Sequence, residues 1–389
     1  MKFAVTAFLL FFTFWCRAQQ PRVQLELDWS QNSHIIQSVI FSPKEDALAF
    51  VKRINPADSA AMKKSFAEDG ATESLLDNNK NTNRYGDPVV TLLNLKTRSL
   101  LLIDYGWSPH FSPNGNRLVY THQANAMAGA KITAAALKGN DIKVLNIKEK
   151  KPVVAAVPLA KGLLMDPAFT DSLHIMYKTG DAVNGPYAGG IALNRMNLLT
   201  KKTELVRGAK IQYRLYDLIG SIYGTGKEYS YILYSPQDST SGIAGEYAHL
   251  LMRGTDTLQD FGIRQLNNLE YKLALLPDRK VVYLDDQHLM TEDTSYIVQF
   301  ENGRAVSKKA INFDFTKAYL SPDGKFMLYT DSSLFCYVLR ISDFSQTRLP
   351  LPQKECYSVA WSANGQQLAV IQEHAKLPDT DQLSVFTVE

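Results

Sequence analysis

The stretch Ala318 to Thr330 reads AYLSPDGKFMLYT and places a tight-turn sequence between two apolar runs. Pro322 presets φ at the second turn position, Asp323 bonds back to nearby backbone, and Gly324 accepts the positive φ that closes the turn. The segment after the turn, FMLY at 326–329, is apolar at every position, whereas a half-exposed strand alternates with polar residues. The stretch therefore predicts a β-hairpin whose second strand is covered on both faces.

The same unit recurs along the chain, which is the signature of a repeat architecture. Clear copies are Phe41-Ser42-Pro43, Phe111-Ser112-Pro113-Asn114-Gly115 and Trp361-Ser362-Ala363-Asn364-Gly365, and weaker ones are Phe169-Thr170-Asp171 and Leu275-Leu276-Pro277-Asp278. The 106 residues between Asp171 and Pro277 leave room for one further copy, expected at 216–234. Seven units result, with hairpins near 39–50, 107–120, 166–177, 216–234, 271–283, 318–329 and 357–371.

Each hairpin is followed by a second pair of apolar strands, so that each unit contributes four strands. Four-stranded units repeated radially are typical of a β-propeller. The last unit offers only one further strand, Gln382 to Val388, while Arg22 to Asp28 alternates strictly between apolar and polar residues. We therefore predict an all-β, seven-bladed propeller of four-stranded antiparallel blades over residues 19–389, in which the N-terminal strand closes the last blade.

The F-S-P-D/N-G-x-x-L-x-Y units resemble the repeat of TolB-type propellers, a WD40-like family also present in the non-catalytic half of prolyl oligopeptidases. The resemblance covers nearly the whole mature chain. It implies a periplasmic or secreted propeller that binds other proteins, and it brings no catalytic residues with it. Because propellers host unrelated activities, the resemblance bears on the fold more than on the function.

The N-terminus predicts export. A short charged start is followed by an apolar segment, Phe3 to Trp15, that is too short to span a bilayer, and Cys16-Arg17-Ala18 offers a small-residue cleavage site. We predict a signal peptide at 1–18; lipidation at Cys16 is the alternative, disfavoured by bulky residues before it. The mature chain then has a net charge near zero, which does not favour nucleic acid, and no apolar run long enough to cross a membrane. We expect a periplasmic or secreted monomer.

Two cysteines remain in the mature chain, Cys336 and Cys356. They fall in different blades, and packed sheets lie ~10 Å apart, beyond the ~7 Å Cα separation that a disulfide tolerates. The sequence therefore predicts two buried free thiols.

The long connections indicate a working face. Within each blade, the connection between the second and third strands is the long one, at about 54–88, 121–139, 178–189, 235–247, 284–294 and 372–380. In an up-and-down blade these connections share one face, and loops on a rigid scaffold commonly bind ligands, although insertions are also tolerated there at little cost. The predicted binding residues are Tyr85, His110, His122, Tyr187, Tyr247, His288 and His374. A short helix capped by Asp58 is expected in the first connection.

Catalytic templates are not matched. The chain has no G-x-S-x-G pentapeptide, and none of its seven histidines is paired at H-x-x-x-H spacing. His110 is the single histidine on a predicted innermost strand. We therefore predict no catalytic residues, no metal and no cofactor, and a non-catalytic scaffold that binds a protein partner, with a glycan as a further candidate ligand. The alternative is a carbohydrate-active propeller enzyme of lyase or hydrolase type, or a glycan-binding module, with a site in the channel.

Overall fold

The computed structural model describes residues 20–30, 36–54, 87–123, 140–156, 162–181, 192–207, 214–217, 228–235, 246–253, 256–260, 273–276, 280–285, 295–301, 304–313, 315–376 and 381–389. Across these ranges the chain forms strands and turns and no helix. Nowhere in them is there a helix long and apolar enough to cross a membrane. The helix expected after Asp58 lies outside the described residues.

Twenty-seven strands lie within the described ranges. They begin with β1 (Val23–Ser30), β2 (Ile36–Phe41), β3 (Ala47–Ile54), β4 (Asp87–Asn94), β5 (Leu100–Phe111), β6 (Arg117–Gln123), β7 (Asn140–Asn146), β8 (Lys151–Ala156) and β9 (Gly162–Phe169). They continue with β10 (His174–Asp181), β11 (Ala192–Asn197), β12 (Thr203–Arg207), β13 (Arg214–Asp217), β14 (Glu228–Ser235), β15 (Glu246–Arg253), β16 (Asp256–Asp260), β17 (Leu273–Leu276) and β18 (Lys280–Asp285). They end with β19 (Ser295–Glu301), β20 (Arg304–Ile311), β21 (Lys317–Leu320), β22 (Phe326–Thr330), β23 (Cys336–Arg340), β24 (Gln346–Arg348), β25 (Cys356–Trp361), β26 (Gln367–Glu373) and β27 (Asp381–Val388).

These strands form antiparallel sheets in which neighbours along the chain are neighbours in space. Sheet 1 contains β2 to β8, sheet 2 contains β9 to β12, sheet 3 contains β13 to β16, sheet 4 contains β17 to β20, and sheet 5 contains β21 to β24. Sheet 6 has the order β1-β27-β26-β25. β22, the second strand of sheet 5, is buried at all five positions. β20, the fourth strand of sheet 4, is exposed at its first six positions. The second strand of a sheet therefore lies in the interior of the molecule, and the fourth strand lies at its outer surface.

Sheet 1 differs from the predicted four-stranded blades because β5 runs on through two sets of partners. Its residues 100–105 pair with β4, and its residues 106–111 pair with β6. Gly106 stands at the division, where an added Cβ would clash with the backbone oxygen of Thr121. Only glycine therefore allows the strand to pass so close to β6. We call β2 to β5 the first half of sheet 1 and β5 to β8 its second half.

The two ends of the chain meet in sheet 6, as predicted. Strand β1 pairs antiparallel with β27, with Val23 opposite Val388 and Ser30 opposite Gln382. Beyond the strands, the Arg22 and Glu389 backbones exchange two hydrogen bonds of 3.0 and 2.9 Å. The N-terminal strand therefore completes the last sheet and covers what would otherwise be the exposed edge of β27.

The repeated turn has a common chemistry. In the turn after β21, the Ser321 hydroxyl donates to Asp323 Oδ1 at 2.6 Å and accepts the Phe326 N–H at 2.9 Å, while Gly324 has φ of 67°. Equivalent bonds form at Ser112 and Ser362, whose turn glycines also have positive φ. The serine is buried in each case because it replaces solvent as the partner of the turn backbone.

Apolar clusters join successive sheets face to face. They lie between sheets 4 and 5, between sheets 5 and 6, between sheet 6 and the first half of sheet 1, between the two halves of sheet 1, and between its second half and sheet 2. The last sheet thus packs on the first. The first strands β25, β2, β5 and β9 also contact one another in that order, so they form a common inner wall.

The two ends of the sheets differ, and we name them for what they carry. The turn side holds the tight turns at 42–46, 112–116, 170–173, 321–325 and 362–366. The loop side is the opposite end, where β3, β6 and β10 end, and it includes the crossing at 104–106. On the turn side, neighbouring turns touch: Asn364 Nδ2 donates to Glu45 Oε2 at 2.9 Å, and Lys44 bonds Asn116.

The cysteine prediction is wrong. Cys336 and Cys356 form a disulfide that joins sheet 5 to sheet 6, with their Cα atoms 7.7 Å apart and both side chains in the apolar cluster between the sheets. Each is the first residue of its strand. The average spacing of ~10 Å between sheet planes overstates the separation at these two strand starts, and their Cα distance of 7.7 Å lies just beyond the range usual for a disulfide.

Candidate functional site

A network of charged side chains lies on the loop side, where β5 crosses between its two sets of partners. Asp104 is at its centre and is mostly buried. Its Oδ2 accepts hydrogen bonds from Lys143 Nζ at 2.7 Å and from the Tyr120 hydroxyl at 3.1 Å, and its Oδ1 accepts the Tyr105 N–H at 2.9 Å. Several donors fix this carboxylate in place, as a buried charge requires.

His122 lies between two carboxylates. Its Nδ1 is 2.7 Å from Asp141 Oδ1, and its Nε2 is 3.6 Å from Asp104 Oδ1. Because a carboxylate only accepts, the short contact places the proton on Nδ1 and leaves Nε2 unprotonated in the neutral ring. The His122 side chain is 12% exposed, so the network is largely sheltered from solvent.

The strands arrange this network by register. Residues Tyr120 and His122 share one face of β6, and they lie opposite Lys143 and Asp141 on β7. Because side chains alternate along a strand, all four point to the same face of the sheet, the face that meets Asp104. Burial raises the pKa of Tyr120 well above its usual range, and the nearby Asp104 charge raises it further. Tyr120 is therefore a permanent hydrogen-bond donor that holds Asp104.

A second polar group lies on the inner wall. Ser108 Oγ donates to Asp166 Oδ1 at 2.8 Å, across from β5 to β9. The Lys178 ammonium is 3.1 Å from Asp166 Oδ2. The Lys178 side chain is only 4% exposed, whereas that of Asp166 is 46% exposed, so the carboxylate presents its free side to solvent.

His110 has a structural role and does not lie on the loop side as predicted. It pairs with Val119 in the half of β5 that leads to the tight turn. Its Nδ1 accepts the Phe169 N–H at 3.3 Å, which ties β5 to β9. Burial lowers the pKa of His110 to about 4, so the ring is neutral at physiological pH.

The other predicted binding residues are only partly described. His374 follows β26 on the loop side, where its Nδ1 accepts the Lys376 N–H at 3.1 Å. Tyr247 is the second residue of β15, opposite Tyr234, and its side chain lies outside what the structure describes. Tyr85, Tyr187 and His288 also lie outside the described residues. Of the seven, only His122 is placed in the charged network.

Sequence reasoning missed Asp104, Asp141, Lys143, Asp166 and Lys178. A weak signal was present, because Asp104 interrupts the apolar run LLLIDYGW and Lys178 follows the apolar run HIMY. A lone charge in a buried strand needs a partner, and that requirement points to a site even without a motif.

The network does not resemble a metal centre. Within the described ranges, no three His, Cys, Asp or Glu side chains are grouped to hold a metal ion. Both nitrogens of His122 face carboxylates, and the Lys143 ammonium occupies the side of Asp104 that a cation would approach. Its arrangement is suited to holding and moving a proton.

Comparison with solved structures shows the fold. The chain is similar to an oligogalacturonate lyase in complex with manganese (TM-score 0.60, 12% identity, covering 96% of this chain and 94% of the other). It is also similar to an oligogalacturonate lyase from Vibrio parahaemolyticus (TM-score 0.58, 10% identity, 96% and 94% covered) and to the β-propeller domain of the Trilobed protease from Pyrococcus furiosus (TM-score 0.55, 9% identity, 92% and 95% covered). No protein-family model and no curated protein sequence matches the chain.

These likenesses identify the fold as a β-propeller, and they correct the functional prediction. Two of the similar structures are lyases, so the comparison contradicts the prediction of a non-catalytic scaffold and of no enzyme and gives better support to its alternative. Sequence motifs of closely spaced residues did not indicate this network, because His122, Asp104 and Asp141 lie on separate strands and share no motif.

Proposed function

We propose that this chain is a carbohydrate-active enzyme of the lyase type, which cleaves an oligosaccharide containing a uronate unit at the loop side of the propeller. The observation that carries the proposal is His122, held between Asp141 and Asp104 beside the inner wall. The likeness to two oligogalacturonate lyases supports the class of chemistry.

The propeller that carries this site is proposed to have seven blades. Dividing sheet 1 at Gly106 gives seven four-stranded units, and in five of them the structure describes a tight turn between the first two strands. The contact between Asn364 and Glu45 supports a closed ring, since it joins the last turn to the first. The shared serine chemistry of the turns supports a TolB-type repeat.

The proposed reaction is a β-elimination. His122 Nε2 takes the C5 proton, which is acidic because it lies next to the uronate carboxyl group. The electron pair of the C5–H bond forms the C4–C5 double bond, and the C4–O bond breaks. The leaving oxygen takes a proton from water or from the imidazolium, so charge and atoms balance.

The neighbouring groups of His122 have distinct roles in this scheme. Asp141 holds the Nδ1–H tautomer and so leaves Nε2, on the Asp104 side of the ring, as the proton acceptor. Asp104 and Asp141 together stabilise the imidazolium that forms, and Tyr120 holds Asp104 in position. The Lys143 ammonium contacts Asp104, and its positive charge offsets part of the negative charge of the two carboxylates.

The proposed reaction does not use manganese. One lyase that the chain resembles is in complex with manganese, but the described side chains include no group that fits a metal ion. No step of the proposed reaction is therefore routed through a metal.

The proposal is tested by incubating the purified protein with short oligogalacturonides whose carboxyl groups are free or methyl-esterified. A lyase produces a conjugated double bond that absorbs in the ultraviolet, and Asp141→Asn is expected to slow its formation about 100-fold. New reducing ends without that absorbance would instead show a hydrolase. Binding without cleavage would show a glycan-binding module, and neither binding nor cleavage would overturn the proposal.

Export is proposed with this function, through a signal peptide at 1–18 and with a periplasmic or secreted destination. The disulfide between Cys336 and Cys356 supports it, because such bonds persist in oxidising compartments. Mass spectrometry of the protein recovered from its native cell tests the cleavage; an intact N-terminus in a cytosolic fraction would contradict it.

A further inference from the structure

Three consecutive first strands carry a polar residue with left-handed backbone at the same register. These residues are Ser38 in β2, Ser108 in β5 and Asp166 in β9, with φ of 54°, 51° and 46°. Each stands four positions before the serine or threonine of its turn, at Ser42, Ser112 and Thr170. A side chain other than glycine in this conformation costs free energy, so its recurrence at one register calls for a reason.

The position of these residues suggests that reason. Strands β2, β5 and β9 lie side by side on the inner wall, and the ladder that each makes with its second strand is interrupted at this point. A bulge re-aims a side chain that would otherwise point into the packing between sheets. Ser38 is exposed, and Ser108 and Asp166 are partly exposed, in strands whose neighbouring residues are largely buried.

Asp166 is held as an oriented acceptor. Its Oδ1 accepts from Ser108 and its Oδ2 from the buried Lys178, which leaves lone pairs on both oxygens for a further donor. Sugar hydroxyl groups are such donors. The Ser108 hydroxyl oxygen can accept from a second sugar hydroxyl group while it donates to Asp166.

The charges at this position do not suit a carboxylate ligand. Lys178, the lysine that contacts Asp166, is already paired with it. An incoming uronate carboxylate at Asp166 would therefore meet a like charge, which disfavours binding.

We propose that Asp166 and Ser108 form a subsite for an uncharged sugar unit and select against a uronate at that position. The inference rests on the proposed function, since it names the substrate class: an oligosaccharide with a uronate at the bond that breaks and a neutral unit beside it.

The experiment measures binding by calorimetry, so it does not depend on turnover. The probes are trigalacturonate and its fully methyl-esterified form, which differ in carboxyl charge and in one methyl group per carboxyl. The wild-type protein is expected to bind the ester more tightly. Asp166→Asn keeps the shape and tolerates the left-handed backbone, and it is expected to shift the affinity ratio about tenfold toward the acidic probe. Ser108→Gly is expected to weaken binding of the ester several-fold.

The matched control is Asp171→Asn, on the turn side of the same hairpin, which is expected to leave the ratio unchanged. A ratio that Asp166→Asn does not move would overturn this inference and leave the lyase proposal standing. A wild-type protein that binds neither probe would overturn both. If Asp166→Asn fails to fold by circular dichroism, unchanged ester affinity in Ser108→Gly overturns the subsite.

Discussion

Two histidine–aspartate pairs lie at opposite ends of the sheets, and they differ in what surrounds them. On the turn side, His174 Nδ1 is 2.9 Å from Asp171 Oδ2, and its Nε2 contacts Asn197 at 3.0 Å. Asp171 also accepts the backbone N–H groups of Leu173 and His174, so the pair belongs to its own turn. On the loop side, the pair of His122 and Asp141 joins separate strands and meets a third carboxylate, Asp104.

The same pair of residue types therefore has a different role at each end of the sheets, depending on the backbone and side chains around it. The tight turn uses its carboxylate to satisfy backbone donors, and little of its bonding capacity remains for a ligand. In the loop-side network, His122 Nδ1 bonds Asp141 and Nε2 faces Asp104, so neither nitrogen serves the backbone of a turn. The turn side is therefore interpreted as structural and the loop side as functional.

The largest expected effect is on the rate of catalysis, and it should differ between the His122 pair and the His174 pair. His122→Asn removes the proposed proton acceptor and is expected to lower the rate of product formation by about 10²- to 10⁴-fold. His174→Asn, the matched variant on the turn side, is expected to leave the rate within about twofold. Steady-state kinetics on the same oligosaccharide checks both variants, and equal losses would remove the distinction between the two sides.

The disulfide lies on the loop side, and its removal tests whether that side also contains parts that only stabilise the fold. Replacing Cys336 and Cys356 by serine opens a loop of 20 residues and is expected to lower the free energy of unfolding by about 3 kcal/mol, with catalysis retained in the folded protein. Denaturant titration measures the loss. Thiol titration of the unfolded wild-type protein is the control: two reactive thiols without reductant would contradict the bond.

His110 provides a pH dependence of stability that is separate from activity. Its pKa is about 4 in the folded protein and near 6.5 when unfolded, so the unfolded chain binds the extra proton between these values. Stability is therefore full above pH 6.5 and falls as the pH drops toward 4, by about 2 kcal/mol at pH 5. His110→Asn keeps an acceptor for the Phe169 N–H. The midpoint of denaturant unfolding is expected to change less between pH 7.5 and pH 5 in this variant than in the wild-type protein. An equal change in both proteins would contradict this account.

The smallest expected effect concerns the turn side. Glu45 has φ of 59° at the turn position that glycine fills in other repeats, such as Gly365 with φ of 72°. Glu45→Gly is expected to stabilise the protein by up to about 1 kcal/mol, even though it loses the contact with Asn364. Gly365→Ala is the matched reverse change, and it is expected to destabilise because a Cβ there meets the Asp323 carboxylate. Thermal denaturation checks both, and a destabilised Glu45→Gly or a stabilised Gly365→Ala would contradict the equivalence of the turns.

The hairpins and the ring closure are predictable from sequence because each has a local cause. Ser321 to Gly324 carries its own turn chemistry, and the alternation in Arg22 to Asp28 marks an edge strand. The continuity of β5 was not predictable, since it depends on how closely Gly106 approaches β6. The disulfide was missed because an average sheet spacing says little about strand ends.

The candidate site was predicted only at His122. Asp104 and Asp166 are single carboxylates in strands, and no spacing along the chain reveals that one meets His122 and the other meets Ser108. These contacts join residues brought together by the packing of sheets. The proposed functional class could not be chosen from the sequence, since the fold hosts both binding modules and enzymes.

The most direct measurement is a crystal structure of the His122→Asn protein with an oligosaccharide bound. Our account predicts sugar units on the loop side, with one unit against position 122 and an uncharged unit against Asp166. Sugar bound instead on the turn side beside His174, or on the outer strands, would contradict it.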